Sequence, residues 1–205
     1  MTIVLTGTGV SQDLSIIRSA AVPSAEFRAA VHRIGLHLAV ETSKYLPATV
    51  VEVQTPLEKT NCSVIDGDVI LLPVLRAGLG LLAPFQEILP DASVGFEGLK
   101  RNEETLVPEQ YYQKIPPSSD KTTFIVIDPM LATGGSLHAT LSHLESLPHA
   151  QIMAACVIAS PEGIREIETH HPSCTLVVAA KDRELNGQGY IVPGLGDAGD
   201  RLFGT

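Results

Sequence analysis

The chain has 205 residues, 44% of them hydrophobic and 18% charged, which suits a single domain that buries its core without disulfide staples. A formal net charge of −9, 4% aromatics and no Trp argue against non-specific nucleic-acid binding and against aromatic stacking platforms. Cys62, Cys156 and Cys174 are odd in number and widely spaced, with neither a disulfide framework nor metal-ligand spacing. No leader pattern and no membrane-length apolar run is visible, so a reducing cytoplasm is the expected setting.

In chain order, residues 1–5 read as an edge strand and 6–12 as a turn or loop. Ser24 reads as the cap of an amphipathic helix over 25–43, where Phe27, Ala30, Val31, Ile34 and Leu38 recur at helical spacing. Val50–Val53 reads as a strand. Asp66-Gly67-Asp68 marks a turn, and VILLPV at 69–74 is a near-continuous apolar run, the mark of a parallel strand covered on both faces. Arg76 and Gly78 follow at once. An Arg there stands beside the crevice of an open α/β sheet and Gly78 lets backbone approach closely, although an ordinary surface charge satisfies the same pattern.

A helix over 79–89 and a strand over 92–96 come next. Residues 97–121 are polar and long for a plain connection, so they read as a loop or two-stranded arm that closes over a ligand, or else as a surface hairpin or subunit contact.

The stretch FIVIDPMLATGGS at 124–136 is a short β-branched strand that ends in an acid and runs through Thr133, Gly134, Gly135 and Ser136 into a helix. Asp128 thus falls at the carboxyl end of a core strand, and the Thr-Gly-Gly-Ser turn can aim backbone N–H groups at an anion. A carboxylate for sugar hydroxyls beside a phosphate cradle suits a phosphorylated sugar. Helix, strand and helix follow: Leu137, Leu141, Leu144 and Leu147 share a face, 152–159 is a buried strand, and Pro161 opens a short helix. His138 and His143 lie off the apolar stripe, exposed or polar-paired. His170 and His171 fall at a helix end, where they can meet terminal carbonyls. Residues 175–179 make the last core strand. The alternation predicts an α/β fold, an open, twisted, mostly parallel sheet with helices on both faces.

The tail KDRELNGQGYIVPGLGDAGDRLFGT is dense in Gly. Gly194, Gly196 and Gly199 match G-x-G-x-x-G spacing, but without the preceding strand and the rest of a βαβ unit they do not make a dinucleotide site. They suit instead a backbone wrapped around a small flat ring, whose amide-like edge pairs with main-chain N–H and C=O groups. Asp197 and Asp200 bring two carboxylates to the same region.

LRAGLG at 75–80, KRNEETL at 100–106, VIDPMLATGGS at 126–136, SPEGI at 160–164 and GYIVPGLGDAGDRLFGT at 189–205 together resemble the uracil phosphoribosyltransferase family, from about Leu71 to the end. The resemblance implies a type I phosphoribosyltransferase fold with a protruding arm or loop over 97–121 and a glycine-rich C-terminal hood over 181–205. It implies transfer of 5-phosphoribosyl from phosphoribosyl diphosphate (PRPP) to N1 of uracil, giving UMP and diphosphate. Magnesium is the implied cofactor, GTP an implied effector, and a homo-oligomer, dimer or tetramer, the implied assembly.

Carried onto this chain, Arg76 and Arg101 are the implied diphosphate contacts and Asp128 the ribose ligand. Pro129, Met130, Leu131, Ala132, Thr133, Gly134, Gly135 and Ser136 are the implied PRPP loop. Ile191, Gly196, Asp197 and Ala198 are the implied uracil-reading segment, with Asp197 also facing the sugar and meeting magnesium through PRPP or water. Arg76, Arg101, Asp128 and Asp197 are the implied catalytic set. The alternative reading is a pyrimidine-responsive RNA-binding regulator on the same fold. The chain departs from the family pattern at residues 9–18, and at Lys100, where Tyr is usual. Pro129 stands where the wider fold has a second acid, which matches the uracil branch.

Overall fold

The computed structural model describes residues 1–101 and 108–205. Strand β1 (Thr2–Val4) leads through α1 (Thr8–Arg18) and α2 (Ser24–Ser43) to a β2 (Ala48–Gln54) and β3 (Lys59–Ile65) hairpin. Then come β4 (Val69–Leu75), α3 (Leu79–Ile88), β5 (Ser93–Val94), β6 (Phe96–Arg101) and β7 (Pro108–Lys114). The second half holds β8 (Thr123–Ile127), β9 (Met130–Leu131), α4 (Gly135–Leu144), β10 (Gln151–Ala159), α5 (Pro161–His170) and β11 (Thr175–Lys181). The tail forms β12 (Glu184–Leu185), β13 (Ile191–Val192) and α6 (Ala198–Phe203).

The central sheet runs β1-β11-β10-β8-β4-β6-β7, parallel as far as β6, with β7 antiparallel at the edge. The chain leaves β4 toward β6 and leaves β8 toward β10, so these adjacent strands form the topological switch point, where such sheets open a ligand crevice. Their register pairs Pro73 with Ile127, so Arg76 and Asp128 both follow the adjoining carboxyl ends of these two strands.

Alternation along the strands builds a core on each face. Leu71, Ile125, Ile127, Met153 and Val177 pack beneath α1, α2 and α3. Ile70, Leu72, Phe124, Val126 and Ile152 pack beneath α4 and α5. This is why the strands read as unbroken apolar runs. On the first face α2 and α3 approach so closely that a Cβ on Gly35 would lie 2.4 Å from Pro84 Cγ, so glycine in the α2 interior serves helix packing. None of the described helices is long and apolar enough to cross a membrane.

Two expectations about elements are corrected. Residues 6–12 are no loop, because α1 starts at Thr8 and buries Val10, Asp13 and Ile17. Asp13 hid the stripe; it is buried because Arg33 donates to its Oδ1 at 2.9 and 2.5 Å. The strand expected at 50–53 is present as part of β2, which pairs with β3 in a separate two-stranded sheet off the central one, with Val50 65% and Leu57 94% exposed. Ser24 is the first residue of α2, and the cap position belongs to Pro23. Within 97–121, β6 and β7 form the expected antiparallel pair and extend the central sheet.

Candidate functional site

The crevice is built at the switch point from three local turns. After β8, Asp128 stands at the floor, where its Oδ1 accepts from Met130 N at 3.2 Å. Pro129 is buried behind it, and its carbonyl accepts from both Val157 N and Ile158 N at 3.0 Å, so this residue ties the loop to β10 and leaves the ligand side to its neighbours. Burial raises the Asp128 carboxyl to about 6, partly offset by the Met130 N–H.

The chain then turns through Thr133 and Gly134 into α4. Gly134 takes φ 88° as the helix N-cap and offers no side-chain cap of its own, while Thr133 Oγ1 accepts from Gly135 N at 3.5 Å; the positive end of the helix faces the crevice. The cavity here is lined by Asp128, Met130–Leu137 and Cys156. A buried serine holds this loop from behind. Ser160 Oγ donates to Ala132 O at 2.5 Å and accepts from Gly163 N at 2.8 Å, capping α5 with the same atom. Ser160→Ala is expected to destabilise the fold by about 1–2 kcal/mol through the lost cap and the orphaned carbonyl, read by thermal melts.

Behind the loop, His171 is buried and bridges His138 and Glu145, with 2.8 Å from His171 Nε2 to His138 Nδ1 and 2.8 Å from His171 Nδ1 to Glu145 Oε1. The expectation that His171 meets helix-end carbonyls is corrected: its ring ties α4 to α5. His138 is polar-paired, as its position off the apolar stripe implied.

The tail folds back over the same opening. A second cleft, of about 280 Å³, is lined by Met130, Ala132, Gln188–Ile191, Gly196 and Asp197. Met130 and Ala132 also line the Asp128 cavity, so the openings that hold Asp128 and Asp197 adjoin across these two residues. Asp197 caps α6, accepting from Asp200 N at 2.9 Å, and Ala198 is buried as the first residue of that helix.

Arg76 stands on the third side. It is exposed and lies 3.8 Å from Asp200 Oδ1, an exposed pair worth less than about 1 kcal/mol. An arriving anion can therefore take the guanidinium over from Asp200. The Arg76 turn sits tightly on the floor, since a Cβ on Gly78 would lie 2.5 Å from Ile127 O. Arg101 ends β6, and its side chain lies outside the described residues, as do residues 102–107 of the expected arm.

Sequence reasoning placed Arg76, Asp128, Met130–Ser136, Ile191, Gly196 and Asp197 around this opening. It missed Gln188, Gly189 and Tyr190 as walls, although Tyr190 adjoins Ile191 in the same glycine-dense run. It also missed the buried acid Asp182, whose only sequence signal is its place at the end of a core strand.

The family model described as Uracil phosphoribosyltransferase matches residues 4–205. A protein of that name from Bacillus licheniformis is 44% identical over 197 residues, 96% of this chain and 94% of the relative. One from Clostridium perfringens is 45% identical over 193 residues, 94% of this chain and 92% of the relative. Among solved structures, the AQ2163 protein from Aquifex aeolicus superposes with a TM-score of 0.91 at 33% identity, covering 99% of this chain and 98% of that one. A hypoxanthine-guanine phosphoribosyltransferase from Bacillus anthracis, at 13% identity and a TM-score of 0.54, covers 78% of this chain and 80% of its own and shares the fold.

Proposed function

The chain belongs to the uracil phosphoribosyltransferase family and transfers the 5-phosphoribosyl group of PRPP to uracil, giving UMP and diphosphate; from this premise we propose how its crevice divides the work. The observation that carries the proposal is the pair of lining residues, Met130 and Ala132, shared by the Asp128 cavity and the tail cleft. One substrate can then reach both.

The 5-phosphate sits against Thr133–Ser136, at the open end of α4, where backbone N–H groups and the helix dipole favour an anion. Asp128 accepts from the ribose hydroxyls. Burial raises its carboxyl to about 6, below neutral pH, so the carboxylate form is available to the hydroxyls. Arg76, released from Asp200, and Arg101 hold the diphosphate. The tail main chain at Ile191 and Gly196–Ala198 reads the uracil edge.

Breaking the anomeric C–O bond places positive charge on the ribose ring and negative charge on the leaving diphosphate. Asp128 and Asp197 lie on the side of the growing cation, and the arginines meet the growing anion. Each such preorganised contact is worth about 3 kcal/mol of barrier. Uracil N1 attacks the face opposite the leaving group and inverts the anomeric carbon. Tail backbone donors stabilise the ring as its N1 proton passes to the departing diphosphate or to water.

Magnesium fits the donor set as a passenger of the substrate. Among the described residues no cluster of three or more His, Cys, Asp or Glu is placed to hold a metal, while Asp128 and Asp197 offer hard oxygens beside the ribose end of PRPP, from which the diphosphate departs. When bound, it neutralises diphosphate charge and so makes it a better leaving group. We also propose a homo-oligomer, dimer or tetramer, on the strength of the β2–β3 hairpin, whose exposed Val50, Leu57 and Ile65 are the kind of apolar surface that partners cover. Both curated relatives named above carry the name uracil phosphoribosyltransferase, and the chain's net charge of −9 speaks against the RNA-binding alternative.

The test is a base panel with PRPP and magnesium, read by diphosphate release, on the wild type and on Arg101→Ala. Wild type is expected to turn over uracil in preference to cytosine, hypoxanthine and adenine. Arg101→Ala is expected to raise KM for PRPP at least tenfold, with KM for uracil within about twofold. A matched loss for both substrates would place Arg101 away from the diphosphate.

A further inference from the structure

The uracil-side wall of the crevice is a thin turn, residues 191–196, with little secondary structure of its own. It is gripped from beneath by a buried ion pair. Asp182, at the end of β11, is 7% exposed and accepts a fork from Arg18 on α1, at 2.9 Å to Oδ2 and 2.5 Å to Oδ1. The same two side chains take both main-chain groups of Gly194: Asp182 Oδ2 accepts Gly194 N–H at 2.9 Å, and Arg18 donates to Gly194 O at 2.8 Å.

Gly194 is the tightest point of the turn, at φ 66°, with its virtual Cβ 2.2 Å from Ile191 O. A second arginine extends the grip. Arg201 donates to Leu195 O at 2.7 Å, to Ser19 O at 2.6 Å and to Ile17 O, and lies 4.2 Å over the Phe27 ring. The carbonyls of residues 194 and 195 are therefore both fixed to the carboxyl end of α1. Neither Arg18 nor Asp182 lines the crevice.

We infer that Arg18 and Asp182 are positioning residues for the nucleobase. Their fork holds Gly194 so that the flanking main chain at Ile191 and Gly196 keeps the spacing needed to read a planar pyrimidine edge. Backbone recognition has no side-chain rotamer to adjust, so its geometry depends wholly on what fixes the turn. The fork is charge-assisted, bidentate and shielded on the Asp182 side, which makes it directional in a way a single ammonium contact is not. The grip also gives the carboxyl end of α1 a part in base binding, although α1 itself touches no part of the opening.

The inference rests on the reading of the tail as the uracil wall, and the test separates the two. Three single variants and one pair are compared: Arg18→Lys, which keeps the charge and loses the fork; Asp182→Asn, which is isosteric; Gly196→Ala, on the wall itself; and Arg18→Lys with Asp182→Asn. For each, KM for uracil, KM for PRPP and the rise in melting temperature on adding PRPP are measured. The PRPP-dependent rise reports that the sample is folded and that the opposite side of the crevice is intact.

Both clamp variants are expected to raise KM for uracil by about tenfold or more, as a small displacement of a positioned group does, with KM for PRPP within about twofold and the PRPP-dependent rise retained. The paired Arg18→Lys/Asp182→Asn variant is expected to cost less than the two single costs summed, since both act through one grip. An unchanged uracil KM in the clamp variants, with Gly196→Ala raising it, would overturn the clamp and leave the wall assignment standing. Equal rises in both KM values would reduce the pair to general support and overturn the inference as well. No change in any of the three would remove the tail from base binding altogether.

Discussion

Asp128→Asn is expected to cut kcat by about a hundredfold to a thousandfold, the usual result of removing one preorganised charge from the side of a developing cation. The same change is expected to make the ligand-free protein more stable at pH 7.5. The folded-state carboxyl titrates at about 6, above its ordinary 3.8, because burial disfavours the charged form. The folded state therefore holds its proton more tightly than the unfolded chain. The contribution of Asp128 to stability is fully present below about pH 4 and is lost as pH rises through about 6. A shift of that size corresponds to at most about 3 kcal/mol, and less for a group that retains some contact with solvent. Asn carries no ionisation cost, so the variant's advantage is expected at neutral pH and to fade below pH 4. Chemical unfolding at pH 7.5 and 3.5, with single-turnover rates at pH 7.5, checks both halves. Wild-type turnover would take Asp128 out of the chemistry, and equal stability at pH 7.5 would mean that its carboxylate is well solvated.

Gly78→Ala is expected to cost about 3 kcal/mol of stability and at least a hundredfold in kcat/KM for PRPP. Gly78 has φ −57°, which any residue adopts, so the cost is steric alone. The added Cβ would lie 2.5 Å from Ile127 O, 2.6 Å from Val74 N and 2.7 Å from Val74 O, all backbone atoms of the two central strands. Ile127 immediately precedes Asp128, and Arg76 lies two residues before Gly78, so any relief of the clash separates the cationic and anionic sides of the crevice. Gly187→Ala is the matching control: nothing lies within 4 Å of its virtual Cβ, and melting temperature and kcat/KM are both expected to stay unchanged. A Gly78→Ala protein with wild-type PRPP kinetics would show that the crevice tolerates a shifted Arg76 turn.

What could be read in advance follows the range of the forces involved. The buried strands announced themselves because a strand covered on both faces must be apolar at every position, as Ile70–Leu72 and Phe124–Ile127 are. The phosphate-loop turn was legible because Gly134 must supply a positive φ where the strand turns into α4. The β2–β3 hairpin was half missed because both its faces are exposed, which erases the alternation that marks a strand with one wet side. Helix α1 was missed because an acid sits in its buried stripe, neutralised by Arg33, twenty residues away.

The residues by themselves determined the local chemistry. An acid past a core strand, a glycine turn beneath an open helix end, an arginine past the neighbouring strand and a glycine-dense tail each follow from near-neighbour identity, because φ preferences and side-chain charge act within a few bonds. Only the tertiary structure decided that these pieces face one opening and what holds the last of them there. Arg18 and Asp182 are 164 residues apart, and their pairing arises when α1 and β11 are brought together around a shared core. No local preference encodes that distance; burial of apolar surface closes it, and the ion pair then fixes the turn.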